Sequence, residues 1–563
     1  MTKIKGGLWA LMMILAGFSV KAQTVQEARK LMYYERYEGA KGMLEKIVAG
    51  NPNDAEAVYW LSQTLIDLGD VAGAKEVLRK GMSGANGSNP LLLAGMGHVE
   101  LMEGKTADAR QRFETAISLT KGKDVAVLNA IGNANAEKAG DADYAIEKLK
   151  QATQIKGFKD PEVYINMGDA YRKKMDGGGA VSAYQNALTV DPKYAAAKHK
   201  IGRVYLTQGK DQEDVFMRNF SEATTLDPNF SPSYYSLYSY FFSRDVNRAT
   251  EYFNKYKANA DPGPALDYEE ASLNFAKGDY KTAIAKADQL LASQGTKADA
   301  RLYRLKGYSF DKLGDSLNAV KEMELFFEKA TPQQIVPDNY VMLALNTAKF
   351  PERQERVDRY LNAAIEADTA LVNKVEYAKK GADFFKKAGN QQKCAEWWMK
   401  VLALKQPNAS KTELFYAGLE NFNAQQYNRS DSIFNVYKQK YPDEAYGYYW
   451  SFRSRSVIDS TMEAGLAVPD CQRFIEVAEA DKVKFKNTLI TAYGYMAGYN
   501  ANVKKDFPTA ISYLDRILAV DPANADAAKN KEILQKAVGN KGGSGAAPKA
   551  SGASSPVKSP GAR

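Results

Sequence analysis

Histidine and cysteine are almost missing from this sequence, with two of each in 563 residues. His98 and His199 have no cysteine or second histidine at metal-ligand spacing, so a bound zinc is not expected. Cys394 and Cys471 fall in separate predicted units and are expected to be buried small apolar residues rather than a disulfide. A nucleotide-binding glycine loop is also lacking. Gly177, Gly178 and Gly179 have no Lys-Ser or Lys-Thr after them and read as a turn between helices. Neighbouring carboxylates such as Glu269 and Glu270 point apart on a helix and read as solvated surface. No cofactor and no enzymatic activity are expected. Apolar runs are scarce too. Leu8 to Val20, about 13 residues, falls short of the roughly 20 that span a bilayer, and no later segment comes closer.

That apolar run follows Lys3 and Lys5 and precedes the small-residue context Val20, Lys21, Ala22, which looks like a secretory signal peptide over residues 1–22. No cysteine follows it, so lipid attachment of the usual bacterial lipoprotein type is not indicated. The expectation is an exported chain without a transmembrane anchor after cleavage. It is periplasmic if the source is Gram-negative, with peripheral association to an outer membrane left open. The formal charge of +9 misleads as to partners. Lys3, Lys5 and Lys21, with Lys541, Lys549, Lys558 and Arg563, carry seven of those charges, and neither end segment holds an acid. The residues between are close to neutral, which argues against a duplex-binding face and hence against a nucleic-acid partner. Residues 539–563 are mostly Gly, Ser, Ala, Pro and Lys, with one valine and no aromatic, a composition that cannot offset its ordering entropy and predicts a disordered basic tail.

What the sequence has in abundance is self-similarity. Tyr164, Met167, Gly168 and Tyr171, then Ala180, Tyr184 and Ala187, then Asp191 and Pro192, form a unit that recurs at about 34 residues. The next copy is Ile201, Gly202, Tyr205, Gly209, Phe220, Ala223, Asp227 and Pro228, with about two extra residues between its helices that predict a longer turn. Earlier copies carry Gly69-Asp70 with Ala74, Gly97 with Phe113, and Gly132 with Leu149. Later ones carry Gly278-Asp279, Gly314-Asp315, Gly389 with Trp398, and Gly418 with Phe434. Residues 349–368 keep only the second-helix half of the pattern, and 451–480 depart from it most. Small residues at the crossing allow two antiparallel helices to approach closely, the apolar positions give each helix one buried face, and the proline closes the unit.

The pattern resembles the tetratricopeptide repeat family, in its exported bacterial form. Asp-Ser/Thr triplets such as Asp315-Ser316-Leu317, Asp368-Thr369-Ala370, Asp431-Ser432-Ile433 and Asp459-Ser460-Thr461 resemble O-glycan acceptors of Bacteroidetes, although helix capping explains them equally well. The resemblance implies an all-α fold, a right-handed α-solenoid of tandem helix-turn-helix repeats. The expected division is an N-terminal array over 23–260, a more divergent C-terminal array with a cap helix over 261–538, and the tail.

First helices of such arrays line the concave wall. There the resemblance places Asn129, Asn133, Asn166, Arg172, Lys200 and Arg203, a polar, positive surface for an acidic or extended peptide. Chaperone-binding relatives clamp a terminal carboxylate with lysine, asparagine and arginine. Asn133, Asn166 and Lys200 match the asparagine, asparagine and arginine positions, but Asn129 and Ala196 stand where the clamp has lysines. With 34 tyrosines, some aromatics are expected to face outward, and Tyr235, Tyr449 and Trp450 are the candidates. The expected function is a scaffold that binds protein or peptide partners, outer-membrane or secretion-complex components among them, in envelope assembly, secretion or complex organisation. The alternative is a glycan-binding or polysaccharide-processing accessory component that stacks sugars on the exposed aromatics.

Overall fold

A computed structural model describes residues 24–539. The expected signal peptide and nearly all of the basic tail lie outside the described residues. Every regular element described is helical, and no described helix is long and apolar enough to cross a membrane. The chain divides into two compact units between Leu305 and Lys306, inside a helix.

The first unit runs α1 (Val25–Tyr33), α2 (Tyr37–Gly50), α3 (Ala55–Asp67), α4 (Val71–Gly81), α5 (Pro90–Met102), α6 (Thr106–Leu119), α7 (Val125–Ala136) and α8 (Ala142–Thr153). It continues with α9 (Pro161–Lys173), α10 (Gly177–Val190), α11 (Ala195–Leu206), α12 (Glu213–Leu226), α13 (Ser231–Phe241), α14 (Val246–Asn259), α15 (Pro264–Ala276) and α16 (Tyr280–Gln294). Helix α17 (Arg301–Lys312) carries the division. The second unit continues α18 (Ser316–Lys329), α19 (Pro337–Thr347), α20 (Gln354–Ala367), α21 (Leu371–Lys387), α22 (Gln391–Lys405), α23 (Lys411–Asn423) and α24 (Tyr427–Lys440). It ends with α25 (Ala445–Ile458), α26 (Val468–Ala478), α27 (Lys486–Tyr499), α28 (Phe507–Val520) and α29 (Ala525–Gly539). Odd-numbered helices are the first, and even-numbered ones the second, of successive hairpins; α29 follows the last.

Two residues make the tight turn inside many hairpins. Gly69, Gly278 and Gly314 end first helices at φ of 82°, 81° and 78°, a left-handed conformation that costs glycine little. The aspartate after each caps the next helix: Asp70 accepts from Gly73 N at 2.8 Å, Asp279 from Thr282 N at 3.1 Å and Asp315 from Asn318 N at 3.1 Å. Each such cap contributes about 1 kcal/mol. At the crossing, a glycine of the first helix receives a large side chain of the second. A Cβ on Gly168 would overlap the Tyr184 ring, and one on Gly202 would stand 2.7 Å from Phe220 Cε1. Gly381 faces Trp397 and Gly418 faces Phe434 in the same way. Those second-helix rings are fully buried, so each hairpin has its own small core, and stacking merges the cores.

Within the first unit the N-terminal hairpin also meets connectors far along the chain. Arg29 Nη2 lies 3.1 Å from Glu162, Ala196 N donates to Tyr33 Oη at 3.1 Å, and Tyr34 Oη donates to Asp227 at 2.8 Å. Ser231 Oγ donates to the Tyr34 carbonyl at 2.6 Å. Asp261 receives Arg36 Nε at 3.2 Å and Gly39 N at 3.1 Å. The first hairpin is therefore a clasp across the turns that precede α9, α11, α13 and α15, and Asp261 serves as its anchor.

The divergent stretch 451–480 forms α25 and α26 around a buried polar network. Arg455 bridges Asp431 Oδ1 at 3.0 Å and Asp470 Oδ2 at 2.7 Å, Lys438 also pairs with Asp470, and Ser454 Oγ bonds Ser430 Oγ at 3.0 Å. Serines and paired charges thus tie this hairpin to α24 of the preceding one, and Phe452 stands where that hairpin has Gly418.

Candidate partner-binding cleft

The wall read as polar and positive is largely neutralised from within. Asn166 Nδ2 donates to Asn129 Oδ1 at 2.9 Å, and both residues are buried, so neither amide faces a partner. Lys200 Nζ pairs with Asp169 Oδ2 at 2.7 Å, and Arg172 lies 3.5 Å from Asp169 Oδ1, which also accepts from Tyr184 Oη at 2.7 Å. Burial works to raise the Asp169 carboxyl, but Lys200 and the bonds from Lys200 and Tyr184 outweigh it, and the pKa ends below its ordinary value. Asn133 is half-buried. Asp169 is the residue that sequence reasoning missed; its position three before Arg172 on one helix was the available signal.

Arg203 is different. It projects from α11 into a cleft of about 840 Å³ bounded by α11, α12 and α13. The turn Lys210–Gln212 there is a short 3-10 helix, the longer turn anticipated from the extra residues. Tyr235, picked as an exposed aromatic, lines the same cleft and is 39% exposed. Structure thus joins one residue from each candidate set. Lys210 and Arg244 complete the cationic side, and Phe216, Tyr240 and Phe241 provide an apolar floor.

None of Arg203, Lys210 and Arg244 meets a carboxylate at ion-pair distance among the described residues. Arg244 donates instead to the Tyr240 carbonyl at 2.7 Å and lies 4.3 Å from the centre of that ring. Of the two acids in the lining, Asp245 is spent capping α14 through Asn247 N and Arg248 N, and Glu213 acts on the Tyr240 hydroxyl. Glu35, in the clasp, raises its own pKa through burial, and the charges of Lys200 and Arg203 pull the other way. Water still reaches the Glu35 side chain. The cleft therefore sets three cations, unpaired among the described residues, against two acids that are hydrogen-bonded elsewhere, beside an apolar floor, which suits an anionic segment bearing a large side chain.

The other aromatic candidates are differently placed. Tyr449 is 7% exposed, packed on Phe452 and Phe474, and its hydroxyl accepts from Arg453 at 3.1 Å, a correction to its expected surface position. Trp450 is half-buried between Phe422 and Phe434. Packing within its own hairpin uses the Tyr449 ring, and packing against the preceding hairpin uses the Trp450 ring. His199 is buried, with Nδ1 3.1 Å from Ser233 Oγ; burial first, and then Lys200, Arg203 and Arg172, hold its pKa well below 6.5. Among the described residues no three His, Cys, Asp or Glu side chains converge as metal ligands.

Residues 31–99 match the tetratricopeptide repeat family model. Similar solved structures include the C-terminal part of a TPR repeat-containing protein from Cytophaga hutchinsonii, 22% identical over 46% of this chain and 98% of that one, at a TM-score of 0.31. Yeast Tom70 is 13% identical over 71% of this chain and 95% of its own, at 0.33. Pseudomonas aeruginosa pilF is 16% identical over 43% and 93%, at 0.24. No curated protein matches the sequence.

Proposed function

In this chain of tetratricopeptide repeats, a fold suited to protein–protein interaction, we propose a non-enzymatic scaffold that holds an acidic, extended segment of a protein partner in the Arg203–Tyr235 cleft. The reading places it in a periplasm, where it serves envelope assembly, secretion or complex organisation; the signal-peptide pattern of residues 1–22 supports that location. One observation carries the binding site: three cations from α11, the α11–α12 turn and the end of α13 surround an apolar floor, and the two acids of the lining, Glu213 and Asp245, make no ion pair with them among the described residues. A partner's glutamates would form charge-assisted hydrogen bonds to the guanidinium groups, and an apolar side chain would lie against Leu206, Tyr235 and Tyr240, the lining residues that keep exposed surface.

Glycan binding draws less support. Stacking on sugar needs flat rings open to solvent, whereas Phe216 and Phe241 are buried to their edges and Tyr240 has Arg244 against one face. The non-catalytic reading is supported by the burial of both histidines and both cysteines.

The test is capture from envelope extract by the full chain and by a variant carrying Arg203→Glu and Arg244→Glu. Proteins retained by the native chain are expected to fall by about tenfold or more, the scale of losing two charge-assisted contacts, with the unfolding temperature unchanged. Retention of the same proteins by the variant would move the site elsewhere, and recovery of polysaccharide without protein would favour the glycan role.

A further inference from the structure

Among the described residues, two hairpins have a 3-10 turn between their first and second helices: α11–α12, with Lys210–Gln212, and α19–α20, with Pro351–Arg353. Each insertion borders a cleft. The first is the Arg203 cleft; the second, of about 560 Å³, lies in the other unit and is bounded by α19, α20 and α21. The insertions have the same length, follow the first helix after the same connector, and precede second helices of 14 residues each. Lys210 corresponds to Pro351, Glu213 to Gln354, Phe216 to Val357 and Ser239 to Lys380 at one constant separation, and each of these residues lines its own cleft.

The cause is mechanical. Where glycine and aspartate turn the chain at once, the first turn of the second helix fills the space beside the next hairpin. Three residues of 3-10 helix rise about 2.0 Å each, so the second helix starts up to about 6 Å farther away, and a gap remains.

In the second cleft the floor is Leu345, Val357, Leu361 and Phe384, and Leu345 is 49% exposed. Around it stand Lys349, Lys380 and Lys387, with Asp383 the one acid of the lining. Lys349 donates to Ser316 Oγ at 2.6 Å and meets no carboxylate at ion-pair distance among the described residues. Lys387 pairs with Asp383 at 2.7 Å and Lys380 with Glu376 at 2.8 Å, both one helical turn apart on an open surface, where such pairs hold weakly and can exchange for a partner's carboxylates. The chain's own C-terminal segment does not fit this rim, because residues 540–563 carry Lys541, Lys549, Lys558 and Arg563 and no acid.

We infer that the two insertions build two docking clefts of one kind, and that the second takes an acidic amphipathic peptide segment. Its apolar side chain covers Leu345 and Phe384, and its carboxylates meet Lys349, Lys380 and Lys387. The inference rests on the reading of the Arg203 cleft given above.

The probe is a fluorescein-labelled peptide repeating Glu-Glu-Leu-Phe, titrated by anisotropy against the full chain, with a Lys-Lys-Leu-Phe counterpart as control. The acidic peptide is expected to saturate at two per chain. Lys380→Glu with Lys387→Glu, or separately Leu345→Glu on its exposed side chain, removes one site, weakening it about tenfold or more. Arg203→Glu with Arg244→Glu removes the other. A single site that survives the α21 and Leu345 variants and is lost with the arginine pair overturns the second cleft and leaves the proposed function standing. A single site lost only with the α21 or Leu345 variants does the reverse. No binding, or equal binding of the lysine peptide, sinks both.

Discussion

Gly168 and Gly178 sit ten residues apart in one hairpin, and the same substitution should act on them in opposite directions. A Cβ at Gly168 would overlap Cε1 of Tyr184, whose ring is fully buried and whose hydroxyl is tied to Asp169 at 2.7 Å. Overpacking of this kind costs about 1–3 kcal/mol, while alanine in place of a helical glycine returns about 1 kcal/mol. The ring has no cheap escape, because swinging it away breaks a hydrogen bond to a charged group, worth about 1.5–3 kcal/mol. Gly168→Ala is therefore expected to lose up to about 2 kcal/mol net. At Gly178 the nearest atom to an added Cβ is Asp176 Oδ1 at 3.7 Å, so only the propensity gain remains, about 0.5–1 kcal/mol in favour of alanine. A solenoid unfolds in neighbouring pieces rather than as one block, so the measurement is amide hydrogen exchange in α9 and α10. Protection should fall in the first variant and rise in the second. Equal or higher protection in Gly168→Ala would show that the crossing relaxes freely, and the account of how these hairpins pack would be wrong.

Asp261→Ala removes the anchor for Arg36 and the Gly39 amide and should raise exchange in α1 and α2 by about 1–3 kcal/mol of lost protection while α5 to α7 stay as they are; unchanged exchange in α1 would mean that the clasp is not held there. Asp67 is hemmed in by protein although water reaches it; burial first, then the charges of Glu137 and Glu35, push its carboxyl up to about 7. A folded pKa above the unfolded one means that the folded state holds the proton more tightly, so this group's contribution declines as pH rises from about 4 to about 7. Asp67→Asn should stabilise the chain at neutral pH and hardly at pH about 4, as read by thermal unfolding; parallel curves for both proteins refute the shift. Burial lifts the Cys394 thiol to about 12 and Cys471 higher still, so a disulfide-exchange reagent should label neither in the native chain and both in urea, and prompt native labelling would refute their burial.

The repeat was legible because its constraints are local. A glycine at the crossing, a Gly-Asp turn and an Asp-Pro stop each act within a few residues of chain, and the structure sets Gly168 at the crossing as expected, although the side chain that meets it is the Tyr184 ring and not the small Ala187. Where the constraint is shared between helices, the signal thinned. Helix α19 has no glycine at its crossing. Leu343 stands at the position of Gly202, and Leu361 at that of Phe220, so bulk is divided between the two helices and the first-helix pattern disappears while both leucines remain buried. The stretch around α25 hid for a related reason, since buried Phe452 stands where the preceding hairpin has Gly418, and serines and paired charges hold α25 to α24. Site residues were harder to read. Helical spacing indicates which face a side chain occupies but not which neighbour it meets, so the Asn129–Asn166 bond and the claims of Asp169 on Lys200 and Arg172 were not visible.

The clasp bears on where a partner can bind. Its contacts run through the turns before α9, α11, α13 and α15, so those turns are already spent on the chain itself. Arg172 and Lys200, on the first-helix faces, are spent on Asp169. What stays open is the other end of the hairpins, where a first helix hands over to a second, and there the two clefts occur. If binding relied on the wall read from the sequence, Lys200→Ala would abolish it by removing charge. With binding in the cleft, Lys200→Ala should leave partner affinity within about twofold, because that lysine's charge is already matched by Asp169, whereas Arg203→Ala should lower it by about tenfold, the scale of one charge-assisted bond in a partly dry site. Equal losses from the two alanine variants, in the same titration, would return the binding site to the wall.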